Sequence, residues 1–234
     1  MNQRTILVTG ASRGIGRAIA ELLLEEGCRV VGLARTMGAK HLVHPSYTAV
    51  LGDLAALSSV QGTVKDILRQ NPDLDGVVSV AGRGDFGELE QFSTTAIQSS
   101  MELNLLSHMV VARAVIPQLK GLRRGDLIFM GSVSSLNGAQ KGSLYCAAKF
   151  GLRGFAQSLR QECARRGVRV GVIHPGMVRT GFFDELNFRP GAEPSQAIEP
   201  ADVAQAVWTM LSARQGTVID ELVLSPQQHV IDFG

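Results

Sequence analysis

Short β-branched runs alternate with amphipathic stretches along the chain, and the two periods predict its elements. Strands are expected over Thr5–Thr9, Arg29–Ala34, Thr48–Val50, Gly76–Val80, Asp126–Met130, Val168–Ile173 and Val218–Leu224. Helices are expected near Ile15–Glu26, Leu57–Gln70, Thr94–Leu119, Ser143–Arg166 and Pro200–Ser212. The first strand, helix and strand make a βαβ unit, whose right-handed crossover requires a parallel sheet. Two stretches break the rhythm. Between Arg35 and the third strand, Thr36–Tyr47 is interrupted by Gly38 and Pro45 and is too short for a full crossover helix. A turn or two of helix at most, and a less well covered sheet face, are expected there. The irregular segment Thr180–Pro200 carries Phe182, Phe183 and Phe188 beside Pro190, Gly191 and Pro194. A loop of that length reads as a lid over a pocket; the plainer alternative is a surface loop that tucks its rings into the core.

Composition narrows the class. With 234 residues, 45% apolar and 19% charged, the chain fits one folded domain spanning residues 1–234 and excludes disorder. The net charge is +2, and apart from Arg123-Arg124 and Arg165-Arg166 the basic residues are scattered, so no footprint for nucleic acid or an anionic membrane is present. Cys28, Cys146 and Cys163 are odd in number and far apart, which argues against a zinc clip or disulfide framework and for packing roles in a reducing compartment. No metal site is expected. No apolar run reaches the roughly 18 residues of a membrane span, and the start of the chain does not read as a secretory signal, so a cytoplasmic location is expected.

The chemistry begins directly after the first strand. Thr9-Gly10-Ala11-Ser12-Arg13-Gly14-Ile15-Gly16 opens the first helix. Gly10 permits a tight turn, Gly14 lets backbone approach a pyrophosphate, and Gly16 lets the helix pack on the sheet, while the helix N-terminus offers free N–H groups to an anion. A dinucleotide fold reads the adenosine ribose at the end of the second strand, about 20 residues on, where an acidic residue recognises a free 2′-hydroxyl. Arg35 stands there instead. A guanidinium pairs with a 2′-phosphate, and Arg13 can approach from the other side, so NADP(H) is expected over NAD(H).

Tyr145 and Lys149 lie four residues apart and share one helix face. A nearby ammonium should bring a phenol with a pKa of roughly 10 closer to the working range. Ser132, thirteen residues before Tyr145, follows the strand Asp126–Met130 and could hold a substrate carbonyl. Glycine turn, Ser132 and Tyr145 would converge at the carboxyl ends of the strands, where open parallel sheets bind ligands. Ser134 and Ser135 are rivals to Ser132, which could also merely cap a turn. Asp53 could only cap the following helix, and His174 reads as structural.

Taken in order, these motifs resemble the short-chain dehydrogenase/reductase family over essentially the whole chain. Thr9–Gly16 matches its glycine motif, Asp53-Leu54 its adenine-binding acidic pair, and Ala81-Gly82 the end of its Asn-Asn-Ala-Gly motif. Asn104 is similar to its helix asparagine, Ser132, Tyr145 and Lys149 to its reactive trio, and Pro175-Gly176 with Val178 and Thr180 to its nicotinamide-binding segment. The resemblance implies a Rossmann-type, doubly wound, parallel seven-stranded α/β sheet. It also implies hydride transfer between the cofactor and a carbonyl or alcohol. Tyr145 would act as acid or base, Ser132 would polarise the oxygen, Lys149 would bind ribose and tune Tyr145, and Asn104 would order a water. A homodimer or homotetramer is further implied, commonly built on the helices Thr94–Leu119 and Ser143–Arg166. An NADP(H)-sensing regulator on the same fold is the rival function.

The chain departs from the family pattern at Ser79-Val80, where two asparagines are usual, so the bonds bracing that strand must be rearranged. Its C-terminal stretch lacks the Gly-Gly ending of the acyl-carrier reductase branch and is more similar to the hydroxy-acid and amino-alcohol dehydrogenases. Phe86, Leu136, Leu144, Met177, Phe182 and Phe183 are candidate pocket residues for an apolar or aromatic carbonyl compound, with Arg83, Gln140 and Arg179 as possible polar or carboxylate contacts.

Overall fold

The computed structural model describes residues 3–36 and 42–233. The strands are β1 (Thr5–Thr9), β2 (Arg29–Ala34), β3 (Tyr47–Leu51), β4 (Gly76–Ser79), β5 (Gly125–Met130), β6 (Val168–Pro175), β7 (Arg189–Pro190), β8 (Glu221–Leu224) and β9 (Ile231–Asp232). Seven of them form a parallel sheet in the order β3-β2-β1-β4-β5-β6-β8, and β7 pairs with β9 in a separate antiparallel ribbon. The order reverses between β1 and β4, which opens a crevice at their carboxyl ends.

Strand alternation sorts the core into two layers. Leu7, Val31, Val77, Leu127, Phe129 and Val172 face α2 (Leu57–Gln70), α4 (Ser107–Leu122) and α5 (Ser143–Cys163). Ile6, Val8, Val30, Val78, Ile128 and Ile173 face α1 (Gly14–Glu25) and α6 (Pro200–Ser212). Both faces of the inner strands are therefore dry, which is why these strands read as continuous apolar runs. Cys28, Cys146 and Cys163 are buried free thiols, as their expected packing roles require.

The face with two helices is the thinner one. Residues 37–41, where the short helix between β2 and β3 was expected, lie outside the described residues. Leu42 and Tyr47 pack there against the core, and the Tyr47 phenol lies so close over Gly32 that a Cβ at that position would collide with it. Thr48, Ala49 and Leu51 of β3 remain exposed, in keeping with a poorly covered edge.

Most boundaries move by only one or two residues, but three elements depart further from expectation. The helix expected over Thr94–Leu119 is divided into α3 (Thr94–Met101), a wider π-helical turn over Glu102–Leu106, and α4, with Asn104 inside the π turn. Side-chain bonds of Asn104 to the loop after β4 accompany that extra width. The α-helix expected to reach Arg166 ends at Cys163 and tightens into a 3-10 turn closed by left-handed Gly167. The last sheet strand starts at Glu221 and not at Val218, because a turn through Gly216, closed by the Thr217 N–H on the Arg214 carbonyl, delays its entry.

At the amino ends of the strands a buried ionic cluster closes the sheet. The Arg4 Nη2 group lies 2.7 Å from Asp126 Oδ2, and its Nε 3.2 Å from Asp75 Oδ1. Arg169 grips Asp126 through Nε at 2.6 Å and Nη2 at 3.0 Å. Both arginines also cap the Leu211 carbonyl at the end of α6.

Candidate active site

Gly10 and Gly14 both adopt positive φ, +69° and +54°, a conformation that favours glycine. A Cβ on Gly10 would stand 3.2 Å from the backbone of Ala81, so the turn can press against the end of β4. Gly16 differs from expectation in its partner: the close approach is to the Gly10 carbonyl within the turn, and the sheet is reached only through it. Arg13 takes the N-cap position in an extended conformation, without a side-chain cap, and no acidic residue occupies the first turn of α1. Ser12 and Ile15 are partly buried beside it, and Arg35 is exposed where β2 ends. Asp53 accepts from the Ala55 N–H at 3.0 Å, which closes a short turn; the N-cap of α2 is Ala56, so Asp53 does not cap that helix. Leu54 is buried next to it.

The missing asparagines after β4 are replaced from two sides. Thr9 Oγ1 accepts from the N–H groups of Val80 at 2.9 Å and Ala81 at 3.3 Å. Ser79 Oγ meets the fully buried His108 ring at Nδ1, 2.7 Å away. Burial, helped by the Lys149 charge, pushes His108 down to about 3, so its ring is neutral. Sequence reasoning did not single out His108. Its signals were a polar Ser79 within an apolar strand and a histidine four positions beyond Asn104.

Asn104 is buried, with Oδ1 accepting from the Arg83 N–H at 3.0 Å and Nδ2 donating to Asp85 and Ser100 at 3.3 Å each. These bonds fasten the loop after β4. They also bring three candidates together, since a Cβ on Gly82 would stand 2.9 Å from Asn104 Oδ1 and 3.7 Å from Lys149 Nζ.

Ser132 follows β5 and caps the short turn Val133–Ser135: its hydroxyl accepts from the Ser134 N–H at 3.1 Å, and Ser135 Oγ accepts from the Ser132 N–H at 3.1 Å. Ser134 and Ser135 thus serve Ser132, whose hydroxyl stands close enough to the Tyr145 phenol to favour its ionised form. The expected tuning of Tyr145 by Lys149 is not among the influences on the phenol. Burial dominates and pushes the phenol above its ordinary range. The Lys149 ammonium instead donates to the Met130 carbonyl at 2.9 Å and lies 5.6 Å from the centre of the Tyr145 ring. Burial lowers Lys149 to about 8.

The segment after β6 closes the crevice. Pro175 ends the strand, the Gly176 N–H donates to the Leu224 carbonyl at 2.8 Å, and Val178 bridges to Ile198. Thr180 reaches the glycine turn, 3.4 Å from where a Gly14 Cβ would lie. Beyond it, Phe182 stands 5.9 Å from the Tyr145 ring and Phe86 5.1 Å from it, while Phe188 and Phe183 complete the stack. The loop's rings therefore cover Tyr145. Arg83 is engaged by Asp85 at 2.9 Å, and Arg179 by Glu199 at 3.0 Å and three backbone carbonyls, so neither is presented to a substrate carboxylate. Gln140 is exposed.

A profile of the short chain dehydrogenase family matches residues 4–190, and the chain belongs to that family. It is 32% identical over 213 residues to a 3-oxoacyl-(acyl-carrier-protein) reductase from Bos taurus, covering 88% of this chain and 90% of that protein. The C-terminal departure from the acyl-carrier branch does not remove it from similarity to that branch. Among solved structures, it matches an alcohol dehydrogenase from the archaeon Thermococcus sibiricus complexed with 5-hydroxy-NADP, with a TM-score of 0.86, 26% identity, and coverage of 98% and 99% of the two chains. A metagenomic short-chain oxidoreductase in complex with NADP matches with a TM-score of 0.79 and 27% identity, covering 95% and 96%. The family comprises oxidoreductases that bind a nicotinamide cofactor. Among the described residues, no helix is long and apolar enough to cross a membrane.

Proposed function

We propose that this chain is an NADP(H)-dependent carbonyl reductase of the alcohol dehydrogenase type. The observation that carries this reading is the Tyr145 phenol, beside Ser132, enclosed by the rings of Phe86 and Phe182 and on the same helix as Lys149.

The cradle fits the cofactor, because Gly10 and Gly14 hold positive φ in the turn and the first turn of α1 offers backbone N–H groups with no acidic residue beside them. The N–H groups of Ser12, Arg13, Gly14, Ile15 and Gly16 would take the pyrophosphate. Arg13 and Arg35 would take the 2′-phosphate, Asp53 and Leu54 the adenine, and Ala81 and Gly82 the adenosine side. Pro175, Gly176, Val178 and Thr180 would line the nicotinamide, with Tyr145 and Lys149 near its ribose. NADP-bound relatives and the arginine at the β2 end both favour the phosphorylated cofactor. When bound, it supplies the hydride.

The protein's part is the proton. A phenol held above its ordinary range stays protonated at neutral pH and gives its proton to a carbonyl oxygen aligned by Ser132. Lys149, still mostly charged at pH 7, stands beside the phenolate that results. Asn104, which meets Lys149 across Gly82, would order the water through which protons are replaced. The aromatic cover and the committed arginines favour a neutral apolar or aromatic carbonyl compound over a keto acid. Exposed Leu106 and Phe150 lie on the two helical segments expected to build a homodimer or homotetramer.

NADPH oxidation across aldehydes, ketones, diketones and keto acids tests the reading. Turnover of neutral aromatic carbonyls is expected. NADPH binding without turnover of any member would overturn it in favour of a cofactor-sensing role.

A further inference from the structure

His174 is fully buried at the end of β6, and its surroundings do more than fill space. Its Nδ1 lies 3.2 Å from the Ser132 carbonyl oxygen. A Cβ on Gly131 would stand 2.6 Å from the same nitrogen, so a glycine between β5 and Ser132 is what admits the ring. On the other side, Nε2 lies 3.4 Å from Glu221 Oε2 and makes no hydrogen bond. Glu221 is held by Arg153, through Nε at 2.9 Å and Nη2 at 3.0 Å, and by Gln157 at 2.9 Å. Arg153 and Gln157 belong to α5, the helix that carries Tyr145 and Lys149. His174 thus stands between the Ser132 backbone on one side and, on the other, a carboxylate of β8 tied to the Tyr145 helix.

We propose that His174 is a positioning residue for Ser132, its Nδ1–H holding the Ser132 carbonyl and so the turn that carries the Ser132 hydroxyl. This rests on the reading of Ser132 and Tyr145 as the reacting pair. A carbonyl only accepts, so the proton must sit on Nδ1. The charged and titratable groups facing the ring are Glu221 from β8 and Arg153 from α5. Glu221 and the Ser132 carbonyl favour a second proton, burial and Arg153 oppose it, and the opposition prevails, leaving a neutral ring with one defined tautomer. Release of Nδ1 would let the Ser132 turn shift, and small misplacements of a reacting group are expensive in rate.

Two substitutions separate positioning from simple core filling. His174→Leu removes both nitrogens, while His174→Asn keeps a donor near the place of Nδ1. With NADPH and the best carbonyl substrate, His174→Leu should lower kcat roughly 10- to 100-fold with KM for NADPH nearly unchanged, and His174→Asn should recover most of that loss. Wild-type kcat in His174→Leu, or an Asn variant as impaired as the Leu variant, would overturn the proposal. Should His174→Leu not fold, nitrogen-15 NMR of the unsubstituted protein with NADPH decides: an Nδ1–H tautomer supports the assignment and an Nε2–H tautomer sinks it. Failure of the reductase reading would show separately, as absent turnover by the unsubstituted protein, and leaves the tautomer result to judge His174.

Discussion

The two ends of the same strands are built on opposite principles. At the amino ends of β1, β4, β5 and β6, Arg4, Asp75, Asp126 and Arg169 answer one another's charges, and the arginines cap α6 as well. At the carboxyl ends, Tyr145 is buried with its proton retained, Lys149 is buried with its proton weakened, and His108 is buried neutral. Charges paired on one side hold the sheet together; ionisable groups under stress on the other are available for chemistry. The difference teaches that a single sheet can separate stability from reactivity along the strand direction, with the apolar layers between them as insulation.

Substitutions at the two ends should therefore move different observables. The largest effect is expected from Tyr145→Phe, which should cut kcat about a thousandfold, near 4 kcal/mol on the barrier, with little change in unfolding temperature. Loss of both rate and stability would break the separation. At the opposite end, Asp126→Ala takes from Arg4 one of its two carboxylates and from Arg169 its carboxylate, and should cost about 3 kcal/mol in urea unfolding, while kcat of the folded protein stays the same.

Acid should act through the carboxyl end. The folded-state pKa of His108, about 3, lies below its ordinary 6.5. Its stabilising contribution is present above pH 6.5 and is lost as pH falls toward 3, amounting to about 2 kcal/mol between pH 6.5 and 5. His108→Asn should flatten that limb in a pH series of urea unfolding curves; an unchanged limb would assign it elsewhere. The smallest effect sharpens the cofactor side. Arg35→Ala should weaken NADPH binding about tenfold and leave NADH binding unchanged, measured by fluorescence titration, since one charge-assisted contact is lost.

Much of the site was legible because its motifs are local. The glycine turn sits between a strand and a helix, and Tyr145 and Lys149 share a helix face by spacing alone. His108, Asp85 and the Glu221 to Arg153 link were not legible, since each matters through a partner brought from another element. The exact course of the long helix also escaped, because a π turn at Asn104 leaves no period in the apolar pattern.

By itself the sequence determined the alternation of strands and helices, the glycine turn that opens the first helix and the placing of an arginine at the end of the second strand. These follow from side-chain period and backbone freedom, which act over a few residues. Only the tertiary structure decided the protonation of the site: Tyr145 went up where Lys149 was expected to bring it down. Burial depends on what the Phe182 loop and the sheet place around the phenol, and desolvation outweighs the opposing influence of Ser132, while the Lys149 ammonium is turned toward the Met130 carbonyl.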